Sequence, residues 1–302
     1  MSEVPSGSSV SPRETQDRPL DKGRESRRQA VQDKPSPGRN LKVAIPVALL
    51  LGGVVAASLL FYPPSFVALA IIAVGLAVYE LDQAFAHGDS RVSVVPVVVG
   101  GTGILVSAYR LGLESMLAAL VMTAAACVLW RLLDGDGGPS ALRDISSSVF
   151  AVAYLPFLAS FAILILAELG AQAVIVFIVL AVASDTGGFV IGVLLGKHKM
   201  APNISPKKTW EGFAGSLIFS LAAALVSVYL LGVSLWWALL LGVAATFTAI
   251  VGDLAESLLK RDLGVKDMGT LLPGHGGILD RLDSLLISAP VCYLILRTAL
   301  LT

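Results

Sequence analysis

Carboxylates and ammonium groups recur at helical spacing near the end of this chain. Asp253, Glu256, Ser257 and Lys260 stand at i, i+3, i+4 and i+7, so a helix carries all four on one face. Asp280, Asp283 and Ser284 repeat the device at i, i+3 and i+4, with Arg281 beside them. Two helix faces lined with carboxylate oxygens suit a hard divalent cation. The same carboxylates could instead pair with Lys260, Arg261 and Arg281 and simply tie the helices together. Between the faces lie Lys266, Asp267 and the run Pro273-Gly274-His275-Gly276-Gly277, directly before a helix start. Glycines let the backbone approach an anion, and the unpaired N–H groups of a helix start favour phosphate. Arg261 and Lys266 add cationic donors for phosphate oxygens. His275 fits a phosphate contact, a proton carrier or a plain turn residue equally well.

A second polar stretch runs from Gly196 to Gly212 and contains G-K-H-K and S-P-K-K-T-W-E-G. Ser205 followed by Pro206 predicts a helix start, N-cap then first helical position. Lys207 and Lys208 would then sit in the first turn, where positive charge opposes the helix dipole unless an anion is bound. The competing reading makes them topology residues, with Trp210 as an interfacial anchor. Further upstream, Asp185 in S-D-T-G-G shares a helical stripe with Gly188, Gly192 and Gly196. Small residues in such a stripe form a close-packing face, so Asp185 should point into a helix bundle rather than at lipid.

The elements that hold these groups must be membrane helices. The chain of 302 residues is 55% hydrophobic and 15% charged, and its mean hydropathy of +0.79 lies well above that of soluble domains. Apolar segments of about 17 to 25 residues repeat from Leu41 onward, the length that crosses about 30 Å of hydrocarbon at 1.5 Å per residue. Nine spans are expected, near 42–62, 65–86, 93–109, 112–132, 145–167, 171–196, 212–231, 234–259 and 281–300. Pro96, Gly100, Gly101 and Gly103 interrupt the third. The fold class is therefore all-α, a polytopic helical bundle.

Residues 1–41 are polar, basic and poor in large apolar side chains, which predicts a disordered tail preceding a membrane domain over 42–302. Lysine and arginine gather in alternate connections, so the N-terminus and both polar loops, 197–211 and 260–280, should face the cytosol across the plasma membrane. Cys127 and Cys292 lie in separate apolar segments and read as buried free thiols. No nucleic-acid partner is expected, and a homodimer is left open.

The polar motifs together resemble the phosphatidate cytidylyltransferases, or CDP-diacylglycerol synthases. The resemblance rests on Ser257, Lys260-Arg261, Lys266-Asp267, Pro273, His275-Gly276-Gly277, Asp280-Arg281 and Asp283 in register. S-D-T-G-G at 184–188, G-K-H-K at 196–199 and S-P-K-K-T-W-E-G at 205–212 extend it, so that residues 180–290 carry the active site. It implies transfer from CTP to phosphatidate with Mg²⁺ as cofactor, giving CDP-diacylglycerol and pyrophosphate in phospholipid biosynthesis. Asp253 and Asp280 match the family's metal-binding carboxylates, with Asp283 in support. Ser257 and Lys260 match its substrate-site residues, and Lys207 or Lys208 its nucleotide-loop lysines. Asp185, Ser205, Arg261, Lys266, Asp267, His275, Gly276, Gly277 and Arg281 are expected around the substrates. One departure is Gly215-Ser216, where the family commonly has a glycine pair. The alternatives are another CTP-using membrane enzyme, such as a polyisoprenoid or phytol kinase or a CDP-archaeol synthase, and a cation-coupled transporter.

Overall fold

A computed structural model of the chain describes residues 41–134, 139–269, 271 and 276–301. The tail over 1–40 and the residues Pro273, Gly274 and His275 lie outside the described residues. All described residues belong to one compact unit. Its helices are α1 (Leu41–Phe61), α2 (Pro64–Phe85), α3 (Val94–Arg110), α4 (Leu113–Leu133), α5 (a continuous run over 139–169), α6 (Ala171–Leu195), α7 (Trp210–Leu231), α8 (Leu235–Leu263) and α9 (Leu279–Leu301). Seven of the helical runs are long and apolar enough to cross a membrane; α3 and the stretch Leu49–Phe61 of α1 are shorter. The chain is thus an all-α membrane bundle, with seven crossings supported by length and hydropathy where nine spans were expected.

The connections differ between the two ends. At one end the helices are joined by a few residues around 62–63, 111–112, 170 and 232–234; at the other lie the longer connections 86–93, 196–209 and 264–278. Contacts across the polar end support the grouping, since Arg91 N–H donates to Asp144 at 2.9 Å and Arg261 Nε donates to the Ile204 carbonyl at 3.1 Å. Pro156 interrupts α5, because a proline ring removes an N–H from the helical ladder. The ladder widens there into a π turn over Ala153–Phe157.

Two helix pairs place the polar groups. Helices α6 and α7 meet through glycine: a Cβ on Gly187 would lie 2.5 Å from the Gly215 carbonyl oxygen, and one on Gly215 would lie 2.5 Å from that of Gly187. Ser216 Oγ donates to the Ser184 carbonyl at 2.7 Å in the same seam. The expected small-residue stripe is therefore a close-packing face, with Gly188 and Gly192 turned toward Ser216, Gly212 and Thr209. Helices α8 and α9 approach as closely at Gly252, whose absent Cβ would fall 2.5 Å from the Asp283 carbonyl oxygen. That approach sets Asp253 on one helix beside Asp283 on the other.

Three local expectations are corrected. Ser205 does not cap a helix: Lys199–Ala201 and Ser205–Thr209 form a two-stranded antiparallel hairpin, β1 and β2. A residue before proline is pushed out of the helical region, which favours an extended Ser205. The cap is Thr209, whose side chain accepts from Gly212 N–H, and α7 begins at Trp210 rather than near 212. Lys207 and Lys208 accordingly lie on a strand, not in a helical first turn. Helix α8 runs to Leu263, past the expected end near 259, so Lys260 and Arg261 are helical. Gly264 ends it in a left-handed conformation (φ 69°), with Val265 N–H donating to the Lys260 carbonyl at 3.0 Å. Helix α5 begins at Pro139, ahead of the expected 145.

Candidate active site

A cleft of about 420 Å³ opens at the polar end, walled by the hairpin, α6, α7, α8 and the start of α9. Asp253, Glu256 and Lys260 line it from α8, three of the four residues that helical spacing put on one face, while Ser257 is not among the lining residues; Asp280, Arg281, Asp283 and Ser284 line it from α9. Asp185 reaches in from α6, where Ser284 Oγ donates to its Oδ2 at 3.2 Å, so the residue faces the bundle and not lipid. Ser205, Lys207 and Lys208 contribute from the hairpin, and Asp267 from the 264–278 connection. Phe189, Phe213 and Ile250 add apolar surface to the lining.

The charges are arranged as a network of shared partners. Lys208 Nζ lies 2.7 Å from Asp253 Oδ2 and donates to the Ile250 carbonyl at 3.4 Å. Ser257 Oγ donates to the other oxygen of Asp253 at 3.3 Å. Lys260 Nζ bridges two helices, 2.6 Å from Glu256 Oε2 and 2.9 Å from Asp280 Oδ1. Asp280 also accepts from Met268 N–H at 3.1 Å and Gly277 N–H at 2.8 Å. A lysine thus joins α8 to the hairpin and another joins α8 to α9. The carboxylates do pair with Lys260, as the structural alternative required, but the cation on Asp253 comes from the hairpin.

Several expected residues sit outside the cleft wall. Arg261 points away and holds the hairpin through Ile204. Lys266 is exposed on the connection. Gly276 and Gly277 precede α9 as expected, but the N–H groups there are engaged: Gly277 by Asp280, and Ile278 and Leu279 by Glu80 at 3.0 and 2.9 Å. The glycines have a packing reason, since a Cβ on Gly277 would lie 2.5 Å from Glu80 Oε2, and Gly276 adopts φ 83°. Glu80, on α2, escaped the sequence reading altogether. Its only signal is a carboxylate near the end of an apolar run, followed by Asp82 and Gln83. Glu211 was also missed; it accepts from Lys197 N–H at 3.1 Å and His198 N–H at 3.2 Å, and lies 2.6 Å from His198 Nδ1. It clasps the base of the hairpin to the start of α7.

The donor set can be tested against a hard cation. The cleft lining holds six carboxylates, Asp185, Asp253, Glu256, Asp267, Asp280 and Asp283, against Lys207, Lys208, Lys260 and Arg281. Two formal negative charges are therefore in excess, which disfavours a polyanionic substrate entering alone. Glu256 Oε1 is buried beside the Asp283 carboxyl, and two such oxygens need a proton or a cation between them. Among the described residues no three carboxylate, histidine or cysteine side chains form a ready cage. By donor type and charge the residues nevertheless suit a hard divalent ion.

Fold and cleft together define a polytopic membrane protein with a carboxylate- and lysine-lined site where its helices reach the polar boundary. The chain belongs to the cytidylyltransferase family, whose sequence pattern matches residues 42–299. It is 39% identical over 286 residues to the phosphatidate cytidylyltransferase of Mycobacterium bovis, covering 90% of this chain and 94% of that protein. It is 40% identical over 285 residues to the phosphatidate cytidylyltransferase of Mycobacterium leprae, covering 89% and 91%. A shorter match, 47% identical over 115 residues, relates it to the phosphatidate cytidylyltransferase of Staphylococcus saprophyticus, covering 37% of this chain and 44% of that protein.

Proposed function

We propose that this chain transfers the cytidylyl group of CTP to phosphatidate, giving CDP-diacylglycerol and pyrophosphate. The observation that carries the reading is the cleft at the polar end, which offers cations and carboxylates together in a chain that matches enzymes of that name over nine-tenths of its length. A phosphate oxygen of the lipid attacks the α-phosphorus of the nucleotide, and the bond to the pyrophosphate oxygen breaks. The attacking oxygen is already anionic near neutral pH, so no strong base is needed and positioning with charge neutralisation dominates. Lys208 and Lys207, on the hairpin, are assigned to the triphosphate, and Lys260 with Ser257 to the phosphates at the α8 face. Asp253, Asp280 and Asp283 would hold Mg²⁺, which supplies neutralisation between two polyanions. A site at the membrane boundary suits one substrate from lipid and one from water.

The polar end is assigned to the cytosol of the plasma membrane, with the N-terminus on the same side. Lys197, Lys199, Lys207, Lys208, Lys260, Arg261 and Lys266 gather there, which supports that orientation. The test is purified protein in detergent with labelled CTP, phosphatidate and Mg²⁺, reading both products. CDP-diacylglycerol and pyrophosphate in equal amounts are expected. Release of CDP with a phosphorylated isoprenoid alcohol, or no product beside an active control enzyme, overturns the assignment.

A further inference from the structure

We infer that Glu80, on α2 and far from the cleft in sequence, is a positioning residue for the cytidylyl transfer, holding the start of α9 and through it Asp280 and Asp283. The inference rests on the proposed activity. Glu80 is 2% exposed, and its two oxygens accept separately from consecutive backbone donors: Ile278 N–H to Oε1 at 3.0 Å and Leu279 N–H to Oε2 at 2.9 Å. Asp280 takes the preceding donor, Gly277 N–H, at 2.8 Å. Two carboxylates therefore share three successive N–H groups at the helix start, one from within α9 and one from a helix almost two hundred residues earlier.

The chain is shaped to admit this side chain. Gly277 has the Glu80 carboxylate 2.5 Å from where its Cβ would stand, and the missing Cβ of Gly269 would also fall against Glu80. Glycines on both arms of the 264–278 connection thus close around one acidic group. No basic side chain pairs with Glu80 among the described ion pairs, so backbone donors are its compensation in a setting where a lone carboxylate is costly. An apolar residue here would leave the Ile278 and Leu279 N–H groups without an acceptor at a buried helix start. What the carboxylate adds is directional: it fixes the first turn of α9 in rotation and height, and that turn carries Asp280 one residue beyond the second bond. Asp280 then meets Lys260 at 2.9 Å on α8, which passes the constraint into the cleft. Small displacements of catalytic groups cost on the order of 100-fold in rate.

The experiment compares wild type, Glu80→Ala and Glu80→Gln in detergent, measuring kcat, KM for CTP and amide hydrogen exchange of the peptide over 276–285. Glutamine keeps one acceptor oxygen and presents an NH₂ where the other stood, so that variant should fall between the other two proteins. The expected result is a kcat reduced by roughly 10-fold for Glu80→Gln and on the order of 100-fold for Glu80→Ala, with KM for CTP changed less than about threefold because the hairpin lysines are untouched. Exchange should quicken over 276–285 and stay at the wild-type level over α6 and α7. If wild type is active and Glu80→Gln keeps its kcat within about twofold, or both kcat and exchange change uniformly with loss of folded protein, the inference is overturned. Inactive wild type overturns the proposed activity instead, and the exchange pattern still reports on whether Glu80 holds α9.

Discussion

Lys260 bridges two buried carboxylates, and its removal has a calculable cost. Its Nζ lies 2.6 Å from Glu256 and 2.9 Å from Asp280, whose side chains are 1% and 6% exposed. Lys260→Met keeps the aliphatic stem and deletes the charge, leaving both carboxylates without their shared partner. Each charge-assisted hydrogen bond contributes about 1.5–3 kcal/mol, and stripping one member from a buried ion pair costs about 3–5 kcal/mol. The two routes agree, so a loss of about 3–5 kcal/mol is expected. Adding Glu256→Gln removes one stranded charge and should recover about 1–2 kcal/mol of it. Reversible unfolding in mixed detergent micelles, followed by circular dichroism, measures both variants. If Lys260→Met unfolds within about 0.5 kcal/mol of wild type, the level of a neutral surface change, Lys260 is not what compensates these carboxylates. A double variant less stable than the single one would equally refute the accounting.

Other perturbations separate the parts of the site. Asp253→Asn and Asp280→Asn should each lower turnover by on the order of 100-fold at saturating CTP, while a folded protein is recovered; a near wild-type rate for either across a Mg²⁺ titration removes it from the metal assignment. Glu211→Gln weakens the clasp on Lys197 and His198, so the hairpin lysines should lose placement and KM for CTP should rise several-fold with little change in kcat; steady-state kinetics at varied CTP decides it.

Much of the site is visible in the residue order because its faces are helical. Asp253, Glu256 and Lys260 fall on one face by spacing alone, and so do Asp280 and Asp283. The intramembrane position of Asp185, with glycines one and two turns away, announces a bundle-facing acid, and α6 packs on α7 along that stripe. The hairpin was misread because Ser-Pro is a favoured helix start, whereas Thr209 with Gly212 N–H provides the cap and Pro206 is compatible with an extended strand. The glycines before α9 suggested an anion site for the same kind of reason. Local sequence cannot reveal that the N–H groups of that helix start are already taken, Gly277 by Asp280 and Ile278 and Leu279 by a carboxylate from α2.

The order of residues alone determined that this chain lives in a membrane, that its charge collects at one end of the helices, and which side chains share a helical face. Those are properties of hydropathy and of the 3.6-residue period, and both act over short stretches. Tertiary structure decided which cation meets which acid: Lys208 with Asp253, Lys260 with Glu256 and Asp280, and, beyond the ion pairs, Glu80 with the first turn of α9. Such pairings depend on where helices cross and how closely glycines such as Gly187, Gly215 and Gly252 let them approach. A contact across helices is therefore set by packing of the whole bundle and not by spacing within any one of them.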